Sequence, residues 1–223
     1  IVMEANTNVK TFERATMREL YDFITTEMEE SCPLLEDRPD HNMRVYMTTG
    51  YALLGKLYWM MGEYEKALEP LRMDYNALMA KYDYRELTAT ELSNEQMVGD
   101  DDFLLAYTYA NPEVLWVKQN PCFSPYRFWS YGLVTWYLKP EVYALFGEHD
   151  LRRNLIPTKF PDGEPTPYPV GCIRDGLSPN YGVDMAEVYM ALAECEARVG
   201  SEADARKVLT EFRAKRIRTG YEE

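Results

Sequence analysis

The sequence predicts a mainly α-helical protein in which tetratricopeptide-like helical hairpins pack against an irregular, loop-rich lobe. Three observations carry that expectation. Apolar residues recur at three- and four-residue steps near both ends of the chain, a helical-hairpin pattern at residues 54–67 returns 138 positions later, and the stretch between them loses all periodicity. The chain has 223 residues, 46% of them apolar and 27% charged, and no glycine-serine linker divides it. It is therefore read as a single domain, residues 1–223, with hairpins at about 44–81 and 183–217 and the irregular lobe at about 83–182.

Each element follows from its local pattern. Over residues 16–35, Met17, Leu20, Tyr21, Ile24, Met28 and Leu34 line one helical face, and Pro33 marks its end. Residues 37–42, with Pro39, read as a loop. Residues 44–61 are densely apolar, and Gly50, Ala52 and Gly55 are small residues spaced for close helix contact, which predicts a buried helix. After Gly62, residues 64–81 place Tyr64, Ala67, Leu68, Leu71, Tyr75, Leu78 and Met79 on one face, with a bend expected at Pro70. In the proline-rich stretch beyond it, residues 114–117 alone resemble a buried strand. Helix is expected again over 140–146 and strongly over 183–199, where Met185, Val188, Tyr189, Leu192 and Ala193 share a face. Ser201, with Asp204 three positions on, has the chemistry of a helix cap, and the last helix is expected to run to about residue 217.

The repeat is the strongest single signal. Leu54-Gly55-x-x-Tyr58-x-x-x-Gly62-x-Tyr64-x-x-Ala67 fits the tetratricopeptide hairpin, where small residues let two helices approach and aromatics fill the gaps. Leu192-Ala193, Gly200 and Ala205 repeat that frame, with Glu196 and Glu202 in the aromatic slots. About a hundred residues separate the two copies, so an ordinary solenoid of adjacent units is not expected.

The order of these motifs resembles the SusD/RagB family of glycan-binding outer-membrane lipoproteins of Bacteroidetes-type bacteria. Tyr21-Asp-Phe-Ile-Thr-Thr-Glu27 up to Pro33 is similar to the family's helix before its first hairpin, and Tyr51-Ala-Leu-Leu-Gly-Lys-Leu-Tyr58 with Gly62, Glu63, Tyr64 and Ala67 to that hairpin. Asn111-Pro-Glu-Val-Leu-Trp116 is similar to the motif opening its long irregular region, and Leu145-Phe-Gly-Glu-His-Asp-Leu-Arg-Arg153 to its segment ending in Asp-x-Arg. Asn180-Tyr-Gly182, Ala186-Glu-Val-Tyr-Met190 and Ala193-Glu194 are similar to its best-known helix, with Arg213 and Arg216 coming after it. The chain departs from the pattern at Asp184, Cys195 and Thr210, where many members carry arginine, alanine and asparagine. It also lacks the family's lipidated amino-terminal cysteine, first helices and carboxy-terminal stretch, so it is similar to roughly half of a full member.

Charge and composition exclude other classes. Twenty-four Lys and Arg against 37 Asp and Glu give a net charge of −13, which repels phosphate backbones and anionic lipid, so no nucleic-acid partner is expected. The longest apolar runs, 51–55 and 57–61, fall far below the roughly 20 residues of a membrane-spanning helix. The opening Ile1-Val2-Met3-Glu4 is read as a trimmed end from which any targeting segment has been removed. Cys32, Cys122, Cys172 and Cys195 stand far apart without metal-ligand spacing. They read as isolated small apolar residues, with one or two disulfides as the alternative. No metal or cofactor is called for.

Catalysis finds no support in the side chains present. His41 and His149 both sit in polar surroundings, with His149 read as a turn residue able to bond Asp150. Ser124, Ser130 and Ser178 lack a nucleophile elbow, and no glycine-rich phosphate loop follows a strand. Asp100, Asp101 and Asp102 read as a solvated acidic loop, with a calcium site as the alternative, although they lack EF-hand spacing. Glu187 and Glu194 lie seven apart on one helical face, and the resemblance implies a structural role for both.

Binding has a better candidate. Residues 116–137 contain Trp116, Phe123, Tyr126, Phe128, Trp129, Tyr131, Trp136 and Tyr137, stiffened by Pro121 and Pro125 and flanked by the donors Asn120 and Arg127. Sugar rings present apolar C–H faces and hydroxyl edges, so aromatic faces beside amide and guanidinium donors suit them. Trp116 is read as core and Phe123 and Tyr137 as packing; Tyr126, Arg127, Trp129, Tyr131 and Trp136 are the candidate glycan-binding residues.

Taken with these residues, the resemblance implies no enzyme. It implies a surface lipoprotein of the cell outer membrane that captures an oligosaccharide or polysaccharide and delivers it to a SusC-type TonB-dependent transporter, with membrane contact only through a lipid anchor outside this chain. Its binding loops vary with the glycan, so it carries no ligand residue over by position. A tetratricopeptide-like scaffold gripping a protein segment through Tyr51 and Tyr58 is the alternative, and a helical glycoside hydrolase a third reading.

Overall fold

A computed structural model describes residues 14–37, 44–79, 114–118, 136–150, 152–153, 165, 170–172 and 182–221. Helix α1 (Met17–Ser31) opens with Thr16, whose hydroxyl accepts from the Glu19 N–H while the Glu19 carboxylate accepts from the Thr16 N–H, a reciprocal capping box. A 3-10 turn (Cys32–Leu34) comes next, with Pro33 where its missing N–H costs nothing. Helix α2 (Met47–Met61) ends at Gly62, whose φ of 78° is left-handed. There Glu63 N–H donates to the Tyr58 carbonyl at 2.9 Å and Gly62 N–H to the Trp59 carbonyl at 3.0 Å, the paired bonds of a Schellman cap. Helix α3 (Tyr64–Met79) runs through the buried Pro70, which removes one backbone donor without ending the helix.

Strand β1 (Val114–Trp116) pairs antiparallel with β4 (Val183–Asp184), bringing Val114 opposite Asp184. Strand β2 (Trp136–Tyr137) pairs antiparallel with β3 (Val170–Cys172). Between them lies the short helix α4 (Pro140–Tyr143), which gives way to turns at the point where helix to residue 146 was expected. Helix α5 (Met185–Val199) and helix α6 (Glu202–Ala214) form the second hairpin. Residues 183–184 are strand, not the start of a helix, because β1 takes their backbone and the Asp184 carboxylate caps α5 by accepting from the Glu187 N–H at 3.0 Å. Helix α6 stops at Ala214, short of the expected 217, where Ile217 instead bridges to Asp150.

The two hairpins are neighbours in space. Helix α2 packs on α3, α3 on α5 and α5 on α6, so the stack α2–α3–α5–α6 is contiguous despite the long intervening segment. The units are not adjacent in sequence, as expected, but they are adjacent in space, and β1 pairs with β4 beside α2. The core is shared by both hairpins and includes Leu54, Ala67, Leu71, Leu115, Met185, Val188, Tyr189, Leu192 and Val208. Tyr189 packs edge-on to Tyr75 and tilted against Phe212, joining α3, α5 and α6 through one ring. Trp116, read as core from the sequence, is only partly buried, with the Lys118 ammonium 5.2 Å from its ring, while Val114, Leu115 and Val117 around it are buried.

Candidate functional site

The frame of the candidate site is built by polar contacts that tie the first hairpin to the second. On α2, Lys56 and Trp59 point toward α5. The Lys56 ammonium donates to Glu187 at 2.7 Å and the Trp59 indole N–H to Glu194 at 2.9 Å, so the two carboxylates seven residues apart hold two helices together. Glu194 also accepts from Arg198 at 2.7 Å, and these bonds, Trp59's foremost, keep its carboxyl below the usual range. On α3, Arg72 reaches the Glu196 carboxylate through two bonds, Nε at 2.6 Å and Nη2 at 2.8 Å. Glu196 occupies the slot that Tyr58 fills in the first hairpin, and that exchange of an aromatic for an acid is the sequence signal that a cation on α3 answers it.

Strand β1 is fixed to the first hairpin as well. Thr49, fully buried on α2, donates its hydroxyl to the Leu115 carbonyl at 3.0 Å, pinning β1 to the first hairpin. Nothing in the local spacing around Thr49 marks this contact. Tyr58 donates to the Glu29 carboxylate on α1. Burial, and then this bond, push the Tyr58 phenol up to about 12.

At the far side, residues 145–153 dock on the carboxy-terminal end. Asp150 is buried and receives both Arg152 Nε at 2.9 Å and Arg152 Nη2 at 2.6 Å, which gives the Asp-x-Arg motif a structural explanation. The Arg218 N–H donates to the His149 carbonyl at 2.9 Å, and the His149 ring stacks on Tyr221 with centroids 3.6 Å apart. His149 thus packs the turn in which the sequence placed it.

Of the five candidate glycan residues, Tyr126, Arg127, Trp129 and Tyr131 lie outside the described residues. Trp136 is placed by its backbone on β2, opposite Cys172 of β3. Asp100, Asp101, Asp102, His41, Cys122 and the three serines weighed for nucleophilic chemistry also lie outside them. Cys32 and Cys195 are free, buried thiols, and burial pushes Cys195 up to about 11. Among the described residues no group of three or more His, Cys, Asp or Glu side chains is gathered in metal-binding geometry, and no helix is long and apolar enough to cross a membrane.

No protein-family model and no curated protein matches the sequence. Solved structures do match the fold. A putative sugar-binding protein from Bacteroides vulgatus superposes over 100% of this chain and 52% of its own, with a TM-score of 0.62 and 19% identity. A SusD-like protein from Bacteroides fragilis covers 96% of this chain and 55% of its own, with a TM-score of 0.61 and 15% identity. The surface glycan-binding protein A from Bacteroides uniformis covers 93% and 52%, with a TM-score of 0.57 and 17% identity. The chain therefore spans about half the length of these proteins. Its stacked hairpins, with β1 and β4 paired beside them, have the SusD-like fold.

Proposed function

We propose that this protein binds an oligosaccharide or polysaccharide at the cell surface and passes it to a SusC-type TonB-dependent transporter in the outer membrane. It works as a binder and not as an enzyme. The observation that carries this reading is the superposition of the whole chain on a putative sugar-binding protein, joined to a sequence that concentrates Tyr126, Arg127, Trp129, Tyr131 and Trp136 in the segment leaving the hairpin stack between β1 and β4. Rigid aromatic faces there would stack on sugar C–H surfaces with little loss of conformational entropy, and Arg127 would hold a hydroxyl or carboxylate. The helical stack supplies the rigid frame, and attachment to the membrane is through a lipid anchor on the full protein.

A glycan array on the full-length soluble form, repeated with Tyr126→Ala and Trp129→Ala combined, tests the reading. Binding lost in the double variant supports both the ligand class and the place. Binding retained moves the site off the aromatic segment, and no binding to any glycan removes the reading.

The contiguous stack of α2, α3, α5 and α6 favours a second reading, a scaffold that grips a protein segment as repeat proteins do. Tyr58 is buried and donates to Glu29 of α1, so this reading falls on the half-buried Tyr51, and it predicts that Tyr51→Ala, not substitutions in the aromatic segment, abolishes partner binding in a pull-down.

A further inference from the structure

Two turns, far apart in sequence, hold one aromatic face rigidly at the surface. The first, residues 147–150, closes with the Asp150 N–H donating to the Gly147 carbonyl at 3.0 Å. The second, residues 218–221, closes with the Tyr221 N–H donating to the Arg218 carbonyl at 3.0 Å. Gly220 stands third in it with a φ of 91°, the left-handed conformation that a type II turn requires at that place. The turns are fastened to each other, because the Arg218 N–H donates to the His149 carbonyl at 2.9 Å and Ile217 bridges antiparallel to the buried Asp150.

Tyr221 is therefore fixed through both backbone and ring. Its ring lies on the His149 imidazole with 3.6 Å between centroids and 21° between planes, so one face is covered. Tyr221 is nonetheless 52% exposed, which leaves the opposite face to solvent. Tyr46, Tyr58, Tyr75 and Tyr189 are buried, so a tyrosine held this firmly and left this bare contrasts with those of the core. Its surroundings along the chain are polar: Glu148, Arg218 and Thr219 on the same two turns are exposed.

A sugar ring presents a face of C–H bonds and a rim of hydroxyls. The negative face of a phenol ring attracts the first, and guanidinium, hydroxyl and carboxylate groups can bond the second. A ring already clamped in place has little freedom left to lose on binding. We propose that the outer face of Tyr221 is a further saccharide-contact site, with His149 as the positioning residue beneath it. The ligand class rests on the glycan-binding reading above; the place is new, at the turn after α6 and not in the segment between β1 and β4. Two modest contacts on one glycan chain reinforce each other through effective concentration, so a long polysaccharide gains most from the second.

The test uses the full-length soluble form labelled with ¹³C-tyrosine and titrated with maltohexaose, xylohexaose, mannohexaose and hexagalacturonic acid. The Tyr221 ring signal is identified by its absence from Tyr221→Phe. At least one hexaose should shift that signal, and Tyr221→Ala should weaken its binding about threefold to tenfold in isothermal titration, while Tyr221→Phe keeps it. His149→Ala should weaken binding likewise, and His149→Phe, which restores a flat ring beneath Tyr221, should recover it. The shift should persist when Tyr126→Ala and Trp129→Ala are combined. A Tyr221 signal unmoved by all four hexaoses overturns the proposal, as does a Tyr221 ring shielded from solvent in the full-length protein. Glycan binding on the array with Tyr221 unmoved removes this site and leaves the glycan-binding reading standing; an array blank for every glycan removes both.

Discussion

Arg72 and Glu196 join α3 to α5 across 124 residues of sequence through two N–H···O bonds of 2.6 and 2.8 Å, with the Glu196 side chain 3% exposed and that of Arg72 47% exposed. The pair fastens the second hairpin to the first beside their shared core, because the planar guanidinium fork donates two parallel bonds to the carboxylate. Arg72→Ala would leave a buried carboxylate unanswered. The expected loss is about 2–3 kcal/mol, below the 3–5 kcal/mol of a fully buried pair because Arg72 keeps solvent contact. Arg72→Lys should recover only part of it, and urea denaturation of the three proteins measures both.

Gly55 is the contact point of α2 and α3. A Cβ there would lie 2.7 Å from Leu71 Cγ and 3.3 Å from the Leu71 backbone nitrogen, so the helices would have to separate. Gly55→Ala gains about 1 kcal/mol of helix propensity, against an overpacking cost of about 1–3 kcal/mol. Because the backbone atom cannot swing aside as a side-chain end can, a net destabilisation of about 1–2 kcal/mol is expected in thermal or urea unfolding.

Trp59 and Glu194 make a prediction in pH. The indole bond, and then Arg198, hold the Glu194 carboxyl below its ordinary value. A depressed carboxyl contributes stability that is present above the unfolded pKa and is lost as pH falls through the folded one. Trp59→Phe should raise the Glu194 pKa in a carboxyl ¹³C titration and weaken the acid-side loss of stability. An unchanged titration would show that Arg198 alone sets it.

Ser201 caps α6 by accepting from the Asp204 N–H at 3.0 Å, and its own hydroxyl donates to Asp204 Oδ2 at 2.6 Å. Ser201→Ala removes both bonds and should cost about 1 kcal/mol, while Ser201→Thr, which keeps the hydroxyl, should recover most of it. Circular dichroism during urea unfolding reads the difference.

The sequence by itself determined what short-range chemistry decides. Spacing of three and four placed α1, α3 and α5, because a helix carries its own periodicity, while dense apolar sequence with small residues placed α2 and the Ser201 cap placed α6. Gly62 and Ser201 marked ends through conformations and bonds that span only a few residues, and the Gly55 and Ala67 frame announced the hairpin. The candidate glycan residues came from composition and resemblance; the described structure adds to them only the strand position of Trp136. Tertiary structure alone decided the rest. That the two hairpins stack, that Thr49 holds Leu115, that Glu187, Glu194 and Glu196 answer Lys56, Trp59 and Arg72, and that residues 183–184 are strand all depend on where a long intervening segment returns. A carboxylate on a helix face reads the same in sequence whether it meets water or a cation more than a hundred residues away; only the packing of α2 and α3 against α5 supplies the partner.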